Sequence, residues 1–250
     1  MPKAKVNGIE MYYEVHGEGE PLLLLHGFTG SSFMWGNLIP NFKDYFKLIT
    51  PDLRGHGRST NPAKTFTHRQ AAHDIYALLD QLEIDHFKAI GYSTGGMVLL
   101  HMATQQPERI AKMVLVAAQP YLSMKTRERQ TQMTADNITQ ERWDVYRRIH
   151  HYGDEQIRMI RTQFHNMKDD YDDMSFTPPY LSTIRTQTMI VSGDRDVYFD
   201  VQTPVLLYDS IPDSYLWIIP NAGHDLPLWD RIIANKSNLL EFLTGKWDED

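Results

Sequence analysis

Residues 86–101 read HFKAIGYSTGGMVLLH, two apolar runs joined by Gly91-Tyr92-Ser93-Thr94-Gly95-Gly96. Glycine weakens strands and helices alike. Three of them around one serine therefore demand a tight turn in which the backbone passes close to itself. Residues 87–91 suit a strand buried on both faces, and residues 95–105 a helix stopped near Pro107. Such a strand-to-helix turn forces its apex residue into a strained conformation. It lifts the Ser93 hydroxyl above the sheet edge, with backbone N–H groups of the helix start behind it. Taken alone, the same stretch also fits a glycine-rich turn whose serine caps the helix.

The rest of the chain supplies the surroundings of that turn. Asn7-Gly8 is a hairpin signal between a short run at Lys3–Val6 and the alternating Ile9–His16. Residues 17–20 give a second turn, residues 22–26 and 46–50 read as buried strands, and residues 32–42 are weakly helical. Thr67 or an adjacent residue caps a helix whose apolar positions Ala71, Ile75, Leu78, Leu79 and Leu82 recur at helical spacing. Strands at 112–118, 188–192 and 215–219 follow, with a helix near 201–210 and a closing helix over 229–243. This alternation, with short connections, implies an α/β fold built on a parallel sheet covered on both faces. Residues 121–178 break the rhythm. Helical stretches at 127–137, 140–150 and 154–166, with no strand between them, make a helical insertion that ends at Pro178-Pro179. Its aromatic and aliphatic content is too high for disorder. The acidic run at 169–173 reads as a solvated loop, because it lacks the spaced ligands and glycine of a calcium loop.

Composition narrows the function classes. The 250 residues carry 25 Lys and Arg against 32 Asp and Glu, for a net charge of −7. The densest basic stretch, from Lys125 to Arg129, is interrupted by Thr126 and Glu128, so no nucleic-acid partner is expected. The absence of cysteine excludes disulfides and thiolate metal sites. His150-His151 has no companions at metal-ligand spacing, and neither a metal nor a cofactor is expected. The N-terminal stretch lacks the apolar core of a signal peptide, and the longest apolar run near it, 22–25, is far short of a membrane span. The chain reads as soluble and cytoplasmic, with no membrane partner. Its oligomeric state is not legible.

A serine hydroxyl needs a base to become a nucleophile, and the base needs an orienting acid. His224, in Asn221-Ala222-Gly223-His224-Asp225, follows the strand at 215–219. Asp194 and Asp196, in Ser192-Gly193-Asp194-Arg195-Asp196, follow the strand before it. Both segments leave the C-terminal ends of strands, where open α/β sheets gather their functional groups. Acyl transfer also needs oxyanion donors, and His26-Gly27-Phe28 stands at the end of the strand at 22–25. The backbone N–H groups of Phe28 and Thr94 are the expected donors. His26 and His56 read as braces of the oxyanion side, Arg54 and Arg58 as braces of their own loop, and His101 as a packed histidine. Tyr92, Met124, Trp143, Tyr146, Phe164 and Trp229 are candidate pocket walls, with Phe28 beside them. For those within the insertion, plain packing is an equally good reading.

Along nearly its whole length the chain resembles the α/β-hydrolase superfamily. The resemblance is carried by His26-Gly27-Phe28, Asp52-Leu53-Arg54-Gly55-His56-Gly57-Arg58-Ser59, Gly91-Tyr92-Ser93-Thr94-Gly95-Gly96, Gly193-Asp194-Arg195-Asp196 and Gly223-His224, in that order. It implies an eight-stranded, mostly parallel sheet flanked by helices. A core of residues 1–120 and 179–250 would carry a helical lid, 121–178, after the sixth strand. It also implies Ser93, Asp196 and His224 as a catalytic triad, since relatives place the acid three residues after the glycine, which selects Asp196 over Asp194. The serine separates the chain from haloalkane dehalogenase and epoxide hydrolase relatives, which place an aspartate at the elbow. The implied function is a cofactor-free serine hydrolase acting on a small or medium carboxylic ester or a lactone. Carbon–carbon bond hydrolases and perhydrolases share the triad, and a non-catalytic ligand-binding member is the alternative of another class.

Overall fold

The computed structural model describes residues 2–248; Met1, Glu249 and Asp250, the outermost residues of the expected core, lie outside them. Eight strands form one sheet in the order β1-β2-β4-β3-β5-β6-β7-β8. The strands are β1 (Lys3–Val6), β2 (Ile9–His16), β3 (Glu20–Leu25), β4 (Phe46–Pro51), β5 (Phe87–Tyr92), β6 (Ile110–Val116), β7 (Gln187–Gly193) and β8 (Ser214–Ile219). β2 pairs antiparallel with β1 and β4, and the remaining pairs are parallel. The Asn7-Gly8 turn has both residues at positive φ, 43° and 80°, the geometry a two-residue hairpin needs.

The helices are α1 (Ile39–Phe42), α2 (His68–Gln81), α3 (Thr94–Gln105), α4 (Met124–Gln132), α5 (Gln140–Ile149), α6 (Gly153–Asn166), α7 (Pro178–Leu181), α8 (Gln202–Ser210), α9 (Leu226–Ala234) and α10 (Lys236–Thr244). They cover both faces of the sheet. On one face Ile75, Leu79, Val98 and Leu207 pack with inward residues of β3, β5 and β6. On the other, Trp35, Phe42, Leu228, Ile232 and Phe242 pack against Leu24, Ile90 and Val114. Both faces being covered explains why the central strands read as continuous apolar runs. α4, α5 and α6 all lie between β6 and β7.

Local structure departs from the sequence expectation in three places. The closing helix at 229–243 is two helices, α9 and α10, meeting at Asn235, whose φ of −116° and ψ of 35° interrupt the helical path. The helix expected at 127–137 ends at Gln132, and a 3-10 turn follows at Ala135–Asn137. The acidic run is not wholly solvated. Asp173, with a side chain 9% exposed, accepts the N–H groups of His68 (2.7 Å) and Arg69 (3.1 Å) and the Nδ1–H of His68 (2.6 Å). These amides open α2 and have no partner inside the helix, so a carboxylate there is favoured by both hydrogen bonding and the helix dipole.

Strand order sets the functional edge. Chain direction switches at β3, which lies between β4 and β5, and such a switch opens a crevice at the C-terminal ends of the strands. The segments after β3, β5, β7 and β8 all emerge at that edge.

Candidate active site

The elbow after β5 is as tight as its glycines require. Ser93 has φ 51° and ψ −115°, an uncommon conformation for a residue with a side chain. A Cβ on Gly91 would stand 2.5 Å from the Gly95 carbonyl oxygen, and one on Gly95 would stand 2.1 Å from that of Leu25. The Ser93 side chain makes no cap on α3, which removes the reading of a capping serine. Its N–H is held instead by Val116 O at 2.8 Å.

Three side chains from separate loops meet here. His224 Nε2 lies 3.0 Å from Ser93 Oγ, and His224 Nδ1 lies 2.6 Å from Asp196 Oδ2. With the Nδ1 proton directed at the carboxylate, Nε2 is left as an acceptor facing the serine hydroxyl. The other oxygen of Asp196 accepts the Tyr198 N–H at 2.8 Å, fixing the carboxylate plane. Asp194 points elsewhere: it accepts the Ala222 N–H at 3.3 Å and lies beside Arg195. The loops after β7 and β8 approach closely, and a Cβ on Gly193 would stand 2.2 Å from Ala222 O. Tyr92 also holds the histidine loop, its hydroxyl donating to His224 O at 2.6 Å. Burial raises that phenol well above its ordinary range, so it stays a donor.

The β3 loop reaches the same point because β3 and β5 are neighbours, with Leu25 opposite Gly91. Among the described residues, neither the Phe28 N–H nor the Thr94 N–H donates within the chain. Phe28 lines the cavity, Thr94 opens α3 directly after Ser93, and a Cβ on Gly27 would stand 2.8 Å from the Tyr92 ring. His26 holds the base of this loop: Nε2 accepts the Leu53 N–H at 2.9 Å and Nδ1 donates to Gly27 O at 2.8 Å. Asp52 secures the next turns, accepting the Ser32 N–H at 2.6 Å and the Arg58 N–H at 2.8 Å. Arg54 forms a buried bidentate pair with Asp74. Burial pushes the imidazoles of His26 and His56 below their ordinary range, so both serve as neutral hydrogen-bonding groups.

Ser93 and His224 open on a cavity of about 80 Å³, measured as the space open to the centre of a water-sized sphere. Of the expected walls, Tyr92, Phe28 and Phe164 line it. The other four do not. Met124 stands at the exposed start of α4, 68% accessible, and Trp143 faces Arg147 and Arg158, whose guanidinium carbons lie 5.2 and 5.3 Å from its ring. Tyr146 is buried beside His150. Trp229 packs behind Tyr92, between it and Trp35. Residues not expected from sequence take their place, including Met97, Gln119, Thr126, Gln130, Met133, Met167 and Tyr198. The i, i+4 pair Thr126 and Gln130 marks one face of α4, but nothing in their spacing says that this face turns inward.

A family model described as alpha/beta hydrolase fold matches residues 20–151, more than half of the chain. The chain belongs to the α/β hydrolase fold family. A soluble epoxide hydrolase from a Corynebacterium species is 36% identical over 120 residues, which are 48% of this chain and 42% of that protein. The chain thus aligns with less than half the length of that relative. Among solved structures, a meta-cleavage product hydrolase from Pseudomonas fluorescens superposes with a TM-score of 0.81 at 19% identity, covering 98% of each chain. An enol-lactonase from Burkholderia xenovorans superposes with a TM-score of 0.78 at 21% identity, covering 97% of this chain and all of that one. Both structures share the fold of the present chain. Among its described residues, no helix is long and apolar enough to cross a membrane, and no group of three or more His, Asp or Glu side chains is placed to hold a metal ion.

Proposed function

We propose that this α/β hydrolase is a serine hydrolase of small carboxylic esters or lactones. The observation that carries the reading is the unbroken line of hydrogen-bonding atoms from Asp196 through His224 to Ser93, at 2.6 and 3.0 Å. Ser93 Oγ attacks the substrate carbonyl while His224 Nε2 takes its proton. Asp196 holds the imidazole in the required tautomer and stabilises the imidazolium. The N–H groups of Phe28 and Thr94 receive the oxyanion. Collapse of the tetrahedral intermediate expels the alcohol, protonated by His224, and leaves an acyl-enzyme. Water activated by the same histidine then releases the acid.

Residues 121–178 act in this reading as a lid, contributing Thr126, Gln130, Met133 and Phe164 to the cavity. The cavity is small beside the roughly 300 Å³ or more of a drug-sized pocket, and favours short acyl groups of up to about six carbons. A lactone fits the same mechanism, its leaving alcohol staying tethered to the acyl group.

A panel of p-nitrophenyl esters from two to twelve acyl carbons, run beside γ- and δ-lactones, tests the substrate class. The expected result is turnover concentrated at the short esters or the lactones and falling beyond about six carbons. A preference for long chains, or no turnover of either class, counts against the proposal.

A further inference from the structure

The helical segment between β6 and β7 does more than roof the cavity. His150, at the end of α5 and 2% exposed, reaches two loops of the α/β core. Its Nδ1 accepts the Gly57 N–H at 3.0 Å, and its Nε2 donates to Thr29 O at 3.1 Å. Thr29 follows Phe28 and sits at φ 63°, a left-handed conformation that a β-branched residue rarely adopts. The Gly27 end of this turn is held from within the core, by His26 and by the Gly30 N–H on Gly27 O. At the Thr29 end, among the described residues, the one side chain bonded to Thr29 O is that of His150. The ring of Phe28 is also stacked on Phe164 of α6, with centroids 5.0 Å apart.

We propose that His150 is a positioning residue for catalysis: it locks the Thr29 carbonyl, two peptides beyond the one that carries the Phe28 N–H, and so fixes the far end of the turn whose Gly27 end the core already holds. The inference rests on the acyl-transfer reading above. His150 touches neither the substrate nor the reacting atoms. It works by fixing a strained turn from outside, so that the donor is in place before the carbonyl is attacked. A helical segment that supplies this bond completes the oxyanion site when it is seated on the core, and leaves the turn less constrained when it is not.

Other bonds of the same segment give an internal control. Gln156 Nε2 donates to Gly55 O and Gly57 O at 2.9 and 3.1 Å, gripping the same core loop as His150 without touching residues 27–30. If His150 served merely to seat the segment, Gln156 and His150 would be equivalent.

The test compares His150→Ala, His150→Gln and Gln156→Ala on one short ester and on the matching thionoester, whose sulfur accepts hydrogen bonds poorly and so depends less on the oxyanion donors. The expected result for His150→Ala is a fall in kcat of roughly ten- to a hundredfold with KM nearly unchanged. The ester should lose more than the thionoester, lowering their rate ratio. Glutamine offers an acceptor to Gly57 and a donor to Thr29, so His150→Gln should recover most of the loss. Gln156→Ala should keep the wild-type ratio. Equal losses on ester and thionoester, or the same drop in ratio with Gln156→Ala, would overturn the proposal. A dispensable His150 with an essential Ser93 removes this role alone, whereas a dispensable Ser93 removes the acyl-transfer reading beneath it.

Discussion

A methyl group on Gly95 would stand 2.1 Å from the carbonyl oxygen of Leu25, and that contact is with backbone, which cannot rotate away. Gly95→Ala is therefore expected to cost about 3 kcal/mol or more, the upper range for overpacking, read as a lowered urea midpoint. Gly36, around which nothing stands within 4 Å, is the control: Gly36→Ala should stay within about 0.5 kcal/mol of the parent. In the proposed triad, Asp196→Asn keeps the shape but removes the charge that holds the His224 tautomer. The expected loss in kcat is on the order of 10⁴, while Asp194→Asn, remote from the imidazole, should lose less than about tenfold. Equal losses from the two would reassign the acid. The positions of Ser93, Asp196 and His224 are legible in the sequence because they depend on short local patterns. A glycine two residues either side of a serine reports a tight elbow, and a histidine just after a strand and a proline reports a loop at the sheet edge. Met124, Trp143, Tyr146 and Trp229 were misplaced for the opposite reason. Which way a helical side chain points depends on the face that docks, and on α5 that face turns Tyr146 inward and leaves Trp143 against two arginines.

At the scale of elements, α2 shows how a helix end is completed from far away in sequence. Thr67 accepts the Gln70 N–H at 3.0 Å, as its position before the helix suggests. The two preceding amides, those of His68 and Arg69, are satisfied by Asp173, more than a hundred residues downstream. These hydrogen bonds and the adjoining His68 imidazole hold the Asp173 carboxyl down at about 2 despite its burial. Asp173→Ala strips two amides of their acceptor and should destabilise by about 1–3 kcal/mol. Hydrogen exchange should quicken at the start of α2 before it does at β5. Unchanged protection there would mean that water replaces the carboxylate without loss. Sequence spacing pointed to Thr67 or a neighbour but not to Asp173, because an acidic run looks like solvated surface until the partner helix is in place.

Over the whole molecule, buried histidines link stability to pH. Burial brings His101 and His150 down to about 4 from an ordinary value of 6.5. His101 faces Asp173, His68 and Arg69, and His150 faces His26, His56, His151 and the Tyr146 ring. Unfolding releases both imidazoles to bind protons, so the unfolded chain holds more protons between those two values. Their contribution to stability is complete above about pH 6.5 and is lost as the pH falls through about 4. Urea midpoints taken from about pH 7.5 to about pH 4.5 should decline, and a variant carrying His101→Gln and His150→Gln should decline less steeply. A double variant with the wild-type slope would place the pH dependence on other groups. A parallel sheet covered on both faces followed from the alternation of strand and helix, but its strand order, with the switch at β3, did not. The contacts tying residues 121–178 to the core did not, since His150 and Gly57 are 93 residues apart and no local pattern pairs them.

The central claim is that Ser93 forms the acyl-enzyme. Intact-protein mass after treatment with a fluorophosphonate tests it most directly, with the modified peptide then located. One added phosphonyl group per wild-type chain is expected, on the peptide containing Ser93, and none on Ser93→Ala. Wild-type protein that gains no mass, or Ser93→Ala that labels as fully as wild type, would contradict it.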